Sequence, residues 1–174
     1  MEGEIMEARE INEKQLKSEF YSRKILDILP ECKKELTIVQ KHESIDDVLS
    51  LLRKNDHVWV VENRETMKLL GFISRVDLLH LIAPPRSFYH IFSIPDSYHY
   101  GTIGEAEDIM NKGFITCDLD DNIEAIIKKM IRHTTDKIAI LSEKGRLNGE
   151  ITIKSLIAHY HKAKQDAFFL SKSK

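Results

Sequence analysis

Apolar positions along the chain fall into short runs separated by charged or glycine-bearing connections, and the runs alternate between two spacings. Residues 24–30 (KILDILP) are a short apolar piece halted by Pro30, and residues 31–35 read as a charged loop. Residues 36–39 form a β-branched run, the composition expected of a buried strand. Ser44 then precedes a helical pattern in which Ile45, Val48, Leu51 and Leu52 share a face. Asp46 and Asp47 fall in its first turn, where the helix dipole favours carboxylates. Residues 57–61 (HVWVV) predict a second strand, residues 62–68 a connection turning at Asn63, and residues 69–73 the returning hairpin strand. At Ser74 the spacing changes again, with Val76, Leu78, Leu79 and Ile82 recurring at helical intervals. The unit reads strand, helix, strand, turn, strand, helix.

Residues 83–104 interrupt this order with Pro84, Pro85, Pro95, Gly101 and Gly104. Phe88, Tyr89, Ile91, Phe92, Tyr98 and Tyr100 make this linker too aromatic for a solvated tether, so it is expected to pack. The order then returns. Residues 107–111 (EDIMN) echo the LDILP piece, and residues 114–117 predict a strand. Asn122 caps a helix carrying Ile123, Ile126, Ile127, Met130 and Ile131. Strands at 138–141 and 147–151 flank a tight turn, SEKG at 142–145, and Thr152 opens a helix with Leu156, Ile157 and Tyr160. The offset is 78 from Leu36 to Phe114, from Ser44 to Asn122 and from Gly71 to Gly149. Between those anchors the second helix is two residues longer and the second hairpin turn two shorter, so the register is regained. Two gaps that cancel around a preserved order mark an internal duplication. Outside it, residues 1–23 predict an amphipathic helix through Ile5, Ile11, Leu16 and Phe20. Residues 162–174 continue the last helix through Ala163, Ala167, Phe168, Phe169 and Leu170 and end in a basic tail. The expected division is therefore 1–23, 24–82, 83–104, 105–161 and 162–174.

Composition narrows the chemistry. The 174 residues are 42% hydrophobic and 31% charged with a formal charge of −2, which gives no reason to expect a nucleic-acid partner. No apolar run approaches the roughly 18 residues that span a bilayer. The first residues, MEGEIMEARE, are acidic where a signal peptide would be basic and then apolar, so a cytoplasmic location is expected. Cys32 and Cys117 make no C-x-x-C motif and read as structural or incidental thiols. His159 and His161, two apart on a helix, face different directions, and His90 and His99 lie in the linker without evident further ligands, so no metal site is expected. Neither a Gly-rich phosphate loop nor G-x-S-x-G occurs, and a non-enzymatic chain is expected.

The junction at Ser74 carries the most chemistry. A Ser between strand and helix is a natural N-cap, and a helix start presents N–H groups and a positive dipole end to anions. Asp77 lies one turn on, on the same side as the Ser74 hydroxyl. That combination suits a nucleotide, with phosphate at the helix start and the ribose diol on the carboxylate. On the motif alone it suits better a capping arrangement in which Asp77 reaches back to its own helix start.

In this order and duplication the chain resembles a tandem pair of CBS domains, the regulatory module named after cystathionine β-synthase. The resemblance rests on Asp27-Ile28-Leu29 and Asp108-Ile109-Met110, the β-branched first strands, the hairpins, and a terminal Gly-hydrophobic-hydrophobic-(Thr/Ser)-x-x-Asp signature. Gly71-Phe72-Ile73-Ser74-Arg75-Val76-Asp77 fits that signature in full. Gly149-Glu150-Ile151-Thr152-Ile153-Lys154-Ser155 departs at Glu150 and at Ser155, where the Asp belongs. The implied fold class is α/β (α+β): two pseudo-symmetric β-α-β-β-α units packed through their small sheets, plus terminal helices. The implied function is a regulatory sensor holding an adenosine-containing ligand such as AMP, ADP, ATP or S-adenosylmethionine. By resemblance the first site uses Ser74 and Asp77, with Thr37 and Ile38 beside the base and Arg75 and His57 supplying charge for phosphate. The second uses Thr152 and Ser155, with Ile115 and Thr116 near the base and Lys154 near phosphate. A carboxylate accepting from a diol contributes roughly 1.5–3 kcal/mol, so the first site is expected to bind about tenfold or more tighter than the second. One Arg and one His favour a low phosphate count, hence AMP or ADP. The resemblance further implies a homodimer and a regulated protein partner. The competing expectation is a protein–protein interaction module with vestigial clefts.

Overall fold

A computed structural model describes residues 13–34, 36–79 and 104–172, which form two compact units. The remainder of the predicted N-terminal helix, the aromatic linker with His90 and His99, and the side chains of residues 168–170 lie outside this description. The elements in chain order are a helix over 13–22 (α1), α2 (Ile25–Lys34), β1 (Ile38–Gln40), α3 (Ile45–Leu52), β2 (His57–Val61), β3 (Leu69–Ser74), α4 (Ala106–Ile109), β4 (Thr116–Asp118), α5 (Ile123–His133), β5 (Lys137–Leu141), β6 (Leu147–Thr152) and α6 (Ile153–Lys172). The class is the mixed α/β arrangement expected, with two three-stranded sheets ordered β1-β2-β3 and β4-β5-β6.

One unit comprises residues 36–114 and 143–147. Its β1 pairs parallel to β2, and β2 pairs antiparallel to β3 with His57 opposite Ser74 and Trp59 opposite Phe72. The strands alternate as the pattern requires. Val58, Val60 and Ile73 turn to a core shared with Val39, Val48 and Leu52, while His57, Trp59, Phe72 and Ser74 share the other face. Helix α3 begins as expected, Ser44 Oγ accepting from the Asp47 N–H at 3.2 Å. The turn before β3 is held by Asn63 Oδ1, which accepts from the amides of Glu65 and Thr66. This core is closed by α4, whose Ala106 and Ile109 are buried among the side chains of β1, α3 and β2.

The other unit comprises residues 13–34, 115–142 and 148–172. Ile123, Ile126 and Met130 of α5 pack on Ile138, Ile140 and Ile151, together with Ile25, Ile28, Leu29 and Cys32 of α2 and Phe20 of α1. Asn122 caps α5 as expected, accepting from the Ala125 N–H at 2.9 Å. The turn before β6 uses Gly145 at φ +70°, where only glycine is unstrained.

The two short leading helices dock by the same backbone pattern. Ile25 and Leu26 N–H donate to the carbonyls of Asp121 and Leu119, and Ala106 and Glu107 N–H donate to those of Glu43 and Lys41. Ile123 N–H returns a bond to Arg23, and Ile45 N–H to Gly104. Positions 41, 43 and 45 correspond to 119, 121 and 123 at the 78-residue offset. Helix α4, which precedes the second repeat in the chain, thus completes the core of the first repeat's sheet, and α2 completes the core of the second repeat's sheet.

Three details differ from the sequence expectations. Pro30 does not halt the apolar piece, because α2 runs through it to Lys34. Burial of Ile25, Ile28, Leu29 and Cys32 on one face outweighs the missing backbone bond. The first strand of each repeat is regular from Ile38 and from Thr116, two residues later than expected, because parallel pairing begins opposite Trp59 and Ala139. After Ser74 the chain makes a tight turn over 75–78 where helix was expected, with Asp77 N–H bonding Ser74 O and Leu79 N–H bonding Val76 O, and the rest of that predicted helix, through Ile82, lies outside the described residues.

Candidate functional site

Strand register gathers the residues of the first candidate site at one end of a single sheet. Ser74 ends β3 and His57 begins β2 directly opposite. Thr37 precedes β1, and its carbonyl accepts from Trp59 N–H at 2.9 Å while Ile38 pairs with Trp59. The His57 ring meets Trp59 edge-on at 5.5 Å, and Trp59 lies against Phe72 at 5.8 Å. Trp59 is buried as expected of a strand tryptophan, on the face shared by His57, Phe72 and Ser74.

Asp77 folds back onto the strand end. Its Oδ2 accepts from Ser74 N–H at 2.7 Å and from Ser74 Oγ at 2.6 Å. The capping alternative is therefore realised, and the serine hydroxyl donates to the carboxylate. Among the described residues no partner is seen on Asp77 Oδ1, so one carboxylate oxygen anchors the turn. Arg75 points the other way along the chain surface, its Nε donating to Leu52 O at 3.0 Å and its Nη1 lying 2.8 Å from Asp56 Oδ1.

Gly71 of the signature has a steric reason. A Cβ there would stand 2.7 Å from Asn111 O and 3.1 Å from Met110 Sδ, since the chain after α4 pairs with Phe72 through two backbone bonds. Gly149 has more room, its nearest neighbours being Ile140 and Leu29 methyls at 3.4 Å.

The second candidate site keeps the frame and changes the charge. Thr152 N–H donates to Ser155 Oγ at 2.9 Å, and Ser155 N–H donates to Thr152 Oγ1 at 3.1 Å, a reciprocal cap at the start of α6. Ser155 thus retains the anchoring task of Asp77 and supplies no carboxylate. Ile115 O accepts from Ala139 N–H at 3.0 Å, as Thr37 O does in the first repeat. Thr116 O accepts from Lys129 Nζ at 3.2 Å, and that ammonium also pairs with Asp121 at 2.7 Å. Lys154 is exposed on α6.

Lys137 was missed by sequence reasoning. Ile153 N–H bonds Asp136 O at 3.0 Å as Arg75 N–H bonds Asp56 O, which sets Lys137 across from Thr152 as His57 is across from Ser74. Its ammonium holds Asp136 at 2.6 Å and its side chain is only 13% exposed. The signal was present in the two compensating gaps, which shift the middle strands by 80 rather than 78.

Away from both sites, His42 Nδ1 lies 2.6 Å from Glu105 and 3.4 Å from Glu107, an exposed trio where α4 meets the loop before α3. Burial pushes the Cys117 thiol up to about 12, with Asp121 adding and Lys129 opposing, so it is no nucleophile near neutral pH. Among the described residues, no helix is long and apolar enough to cross a membrane.

Duplicated sheets with a Ser/Thr-x-x-Asp/Ser turn at the end of each define the class. The CBS-domain family matches residues 26–84 and 106–162, and the chain belongs to it. Similar solved structures include a CBS domain-containing protein of unknown function from Bacillus anthracis, 20% identical, covering 84% of this chain and 98% of that one with a TM-score of 0.61. CBSX2, solved in complex with AMP, is 21% identical, covering 81% and 98% with a TM-score of 0.62. A CBS domain pair solved in complex with 5′-methylthioadenosine and S-adenosyl-L-methionine is 19% identical, covering 82% and 98% with a TM-score of 0.58. At these identities the likeness is one of fold. The homoserine O-acetyltransferase of Methanococcus vannielii is 28% identical over 141 residues, and the chain spans 25% of that relative's length.

Proposed function

We propose that the chain is a non-enzymatic regulatory module that binds an adenosine-containing ligand and transmits binding as a change of arrangement or assembly. The carrying observation is Asp77, held at the end of the first sheet by Ser74 with one carboxylate oxygen unoccupied by described residues. Asp77 binds the ribose diol, Ser74 faces the phosphate, Thr37 and Ile38 lie beside the base, and His57 stands on the same sheet end. AMP or ADP is the preferred ligand, and the AMP, 5′-methylthioadenosine and S-adenosylmethionine complexes of similar folds support the adenosyl class. Thr152 and Ser155, with Ile115 and Thr116, form the weaker site, and Lys137 joins Lys154 as its cation. The module works in the cytoplasm as a homodimer and acts on a protein partner through differential affinity of the ligand for two arrangements.

The test is a thermal-shift screen with AMP, ADP, ATP, NAD and S-adenosylmethionine on wild type, Asp77→Ala and Asp77→Asn. A ligand at one hundred times its Kd stabilises by about 2.7 kcal/mol, readily seen as a shift. We expect the shift in Asp77→Ala to fall to the smaller part that the weaker Thr152/Ser155 site supplies, and to fall less in Asp77→Asn, which retains an acceptor for Ser74 N–H. A shift that neither substitution diminishes places the ligand elsewhere. No shift at millimolar ligand favours the second reading, an interaction module in which Asp77 serves only as a cap, for which the short Ser74–Asp77 bonds speak.

A further inference from the structure

Arg75 sits where the ligand-facing turn meets the end of α3. Its Nε donates to Leu52 O at 3.0 Å, its Nη1 lies 2.8 Å from Asp56, and its own N–H donates to Asp56 O at 3.2 Å. Leu52 is the last residue of α3, so its carbonyl is one of the acceptors a helix leaves without an internal partner, at the negative end of the dipole. A guanidinium there satisfies the carbonyl and the dipole together. The Asp56 side chain is 84% exposed, so the ion pair adds little in solvent. The clamp rests on the Leu52 carbonyl.

The turn that Arg75 belongs to has reason to need it. Residues 75–78 are held locally by two tight-turn bonds, Asp77 N–H to Ser74 O at 3.1 Å and Leu79 N–H to Val76 O at 3.0 Å, rather than by a regular helix. In the second repeat α6 starts at Ile153 itself and runs as a long helix, and no side-chain clamp is available from isoleucine. The two repeats therefore fix the same turn by different means.

We infer that Arg75 is a positioning residue of the first site: it holds the Ser74–Asp77 turn against the end of α3 and does not itself contact the ligand's phosphate. The clamp is a property of the unliganded chain, and only its effect on affinity rests on the adenosyl reading.

Hydrogen exchange on the unliganded protein tests the clamp, comparing wild type, Arg75→Gln, Arg75→Lys and Asp56→Asn. In Arg75→Gln we expect exchange at Arg75, Asp77 and Leu79 to rise several-fold while Val58 and Val60 in β2 are unchanged. Arg75→Lys restores part of the protection, and Asp56→Asn matches wild type. Unchanged exchange at the turn in Arg75→Gln overturns the proposal. Affinities measured well below the melting transition supply the second readout: adenosine and AMP weaken by the same factor, about three- to tenfold. Loss of AMP binding with adenosine spared overturns the proposal and makes the guanidinium a phosphate contact. If wild type binds neither, the adenosyl reading falls and the exchange result alone decides the clamp.

Discussion

Gly71 and Gly149 occupy the same place in the two repeats and face different surroundings. A methyl at residue 71 would press on a backbone carbonyl that cannot withdraw without breaking its pairing with Phe72. Gly71→Ala should therefore cost about 1–3 kcal/mol in denaturant unfolding. Gly149→Ala meets only ordinary contacts and should lie within about 1 kcal/mol of wild type, because alanine also relieves the entropic cost of a strand glycine. Equal losses would show that the neighbourhood of Asn111 yields. Cys117 offers a second check at this scale. With its thiol pushed up to about 12, it should react with a disulfide reagent at pH 8 only after denaturant is added. Rapid labelling of the native protein would reveal local opening of β4. The signature residues themselves were legible in the sequence, since Ser74/Asp77 and Thr152/Ser155 do meet across one turn. The direction of the bonds was not, because a hydroxyl can donate or accept and only the fold decides which group is nearer.

The elements divide between those that announce their ends and those that do not. Helices α3 and α5 were readable because Ser44 and Asn122 cap them and their apolar positions keep one spacing. Helix α2 was misread at Pro30, where local propensity points one way and burial of its inner face the other. Proline in the helix leaves Leu26 O without a helical donor, so Pro30→Ala should raise stability by about 1 kcal/mol or more in thermal unfolding. The short helix α4 depends instead on Asp108, whose carboxylate accepts from the N–H groups of Gly104 and Glu105 at 2.9 and 3.0 Å. The Gly104 and then the Glu105 amide hold it below its ordinary value of 3.8. A depressed carboxylate stabilises the fold above its unfolded pKa, and that contribution is lost as pH falls below about 4 toward the lower folded value. Stability should thus decline on acidification through this range, and Asp108→Asn should flatten that limb in pH-dependent denaturant titrations.

At the scale of the molecule, the docking of α4 and α2 ties each repeat to chain contributed from outside it. A fragment cut at the repeat boundaries, 24–82, carries α2 without the core that receives it and lacks the Ala106 and Ile109 plug for its own core. The fragment 36–114 carries both sheet and plug. We expect 36–114 to show dispersed NMR amide signals and a cooperative transition, and 24–82 to show neither. The reverse result would mean that Ala106 and Ile109 are dispensable to that core. The proposed asymmetry of the two sites also belongs to this scale. Calorimetric titration with AMP should give one site about tenfold or more tighter than the other, since Ser155 caps its turn without offering a carboxylate. Two equal sites would set that asymmetry aside.

The sequence by itself determined the duplication, the strand–helix order, the caps and the paired signatures, because periodicity and hydrogen-bonding side chains act over a few residues and are written locally. It also determined that the second repeat lacks the carboxylate. Only the tertiary structure decided which core each leading helix fills, since Ile25 and Ala106 are equally apolar and nothing in their own segments names the loop carbonyls at 119 and 121 or at 41 and 43 that receive them. It likewise decided that Lys137 faces Thr152 and that Arg75 turns to Leu52. Those relations depend on strand register and on the reach of long side chains across sequence separations that no local pattern encodes.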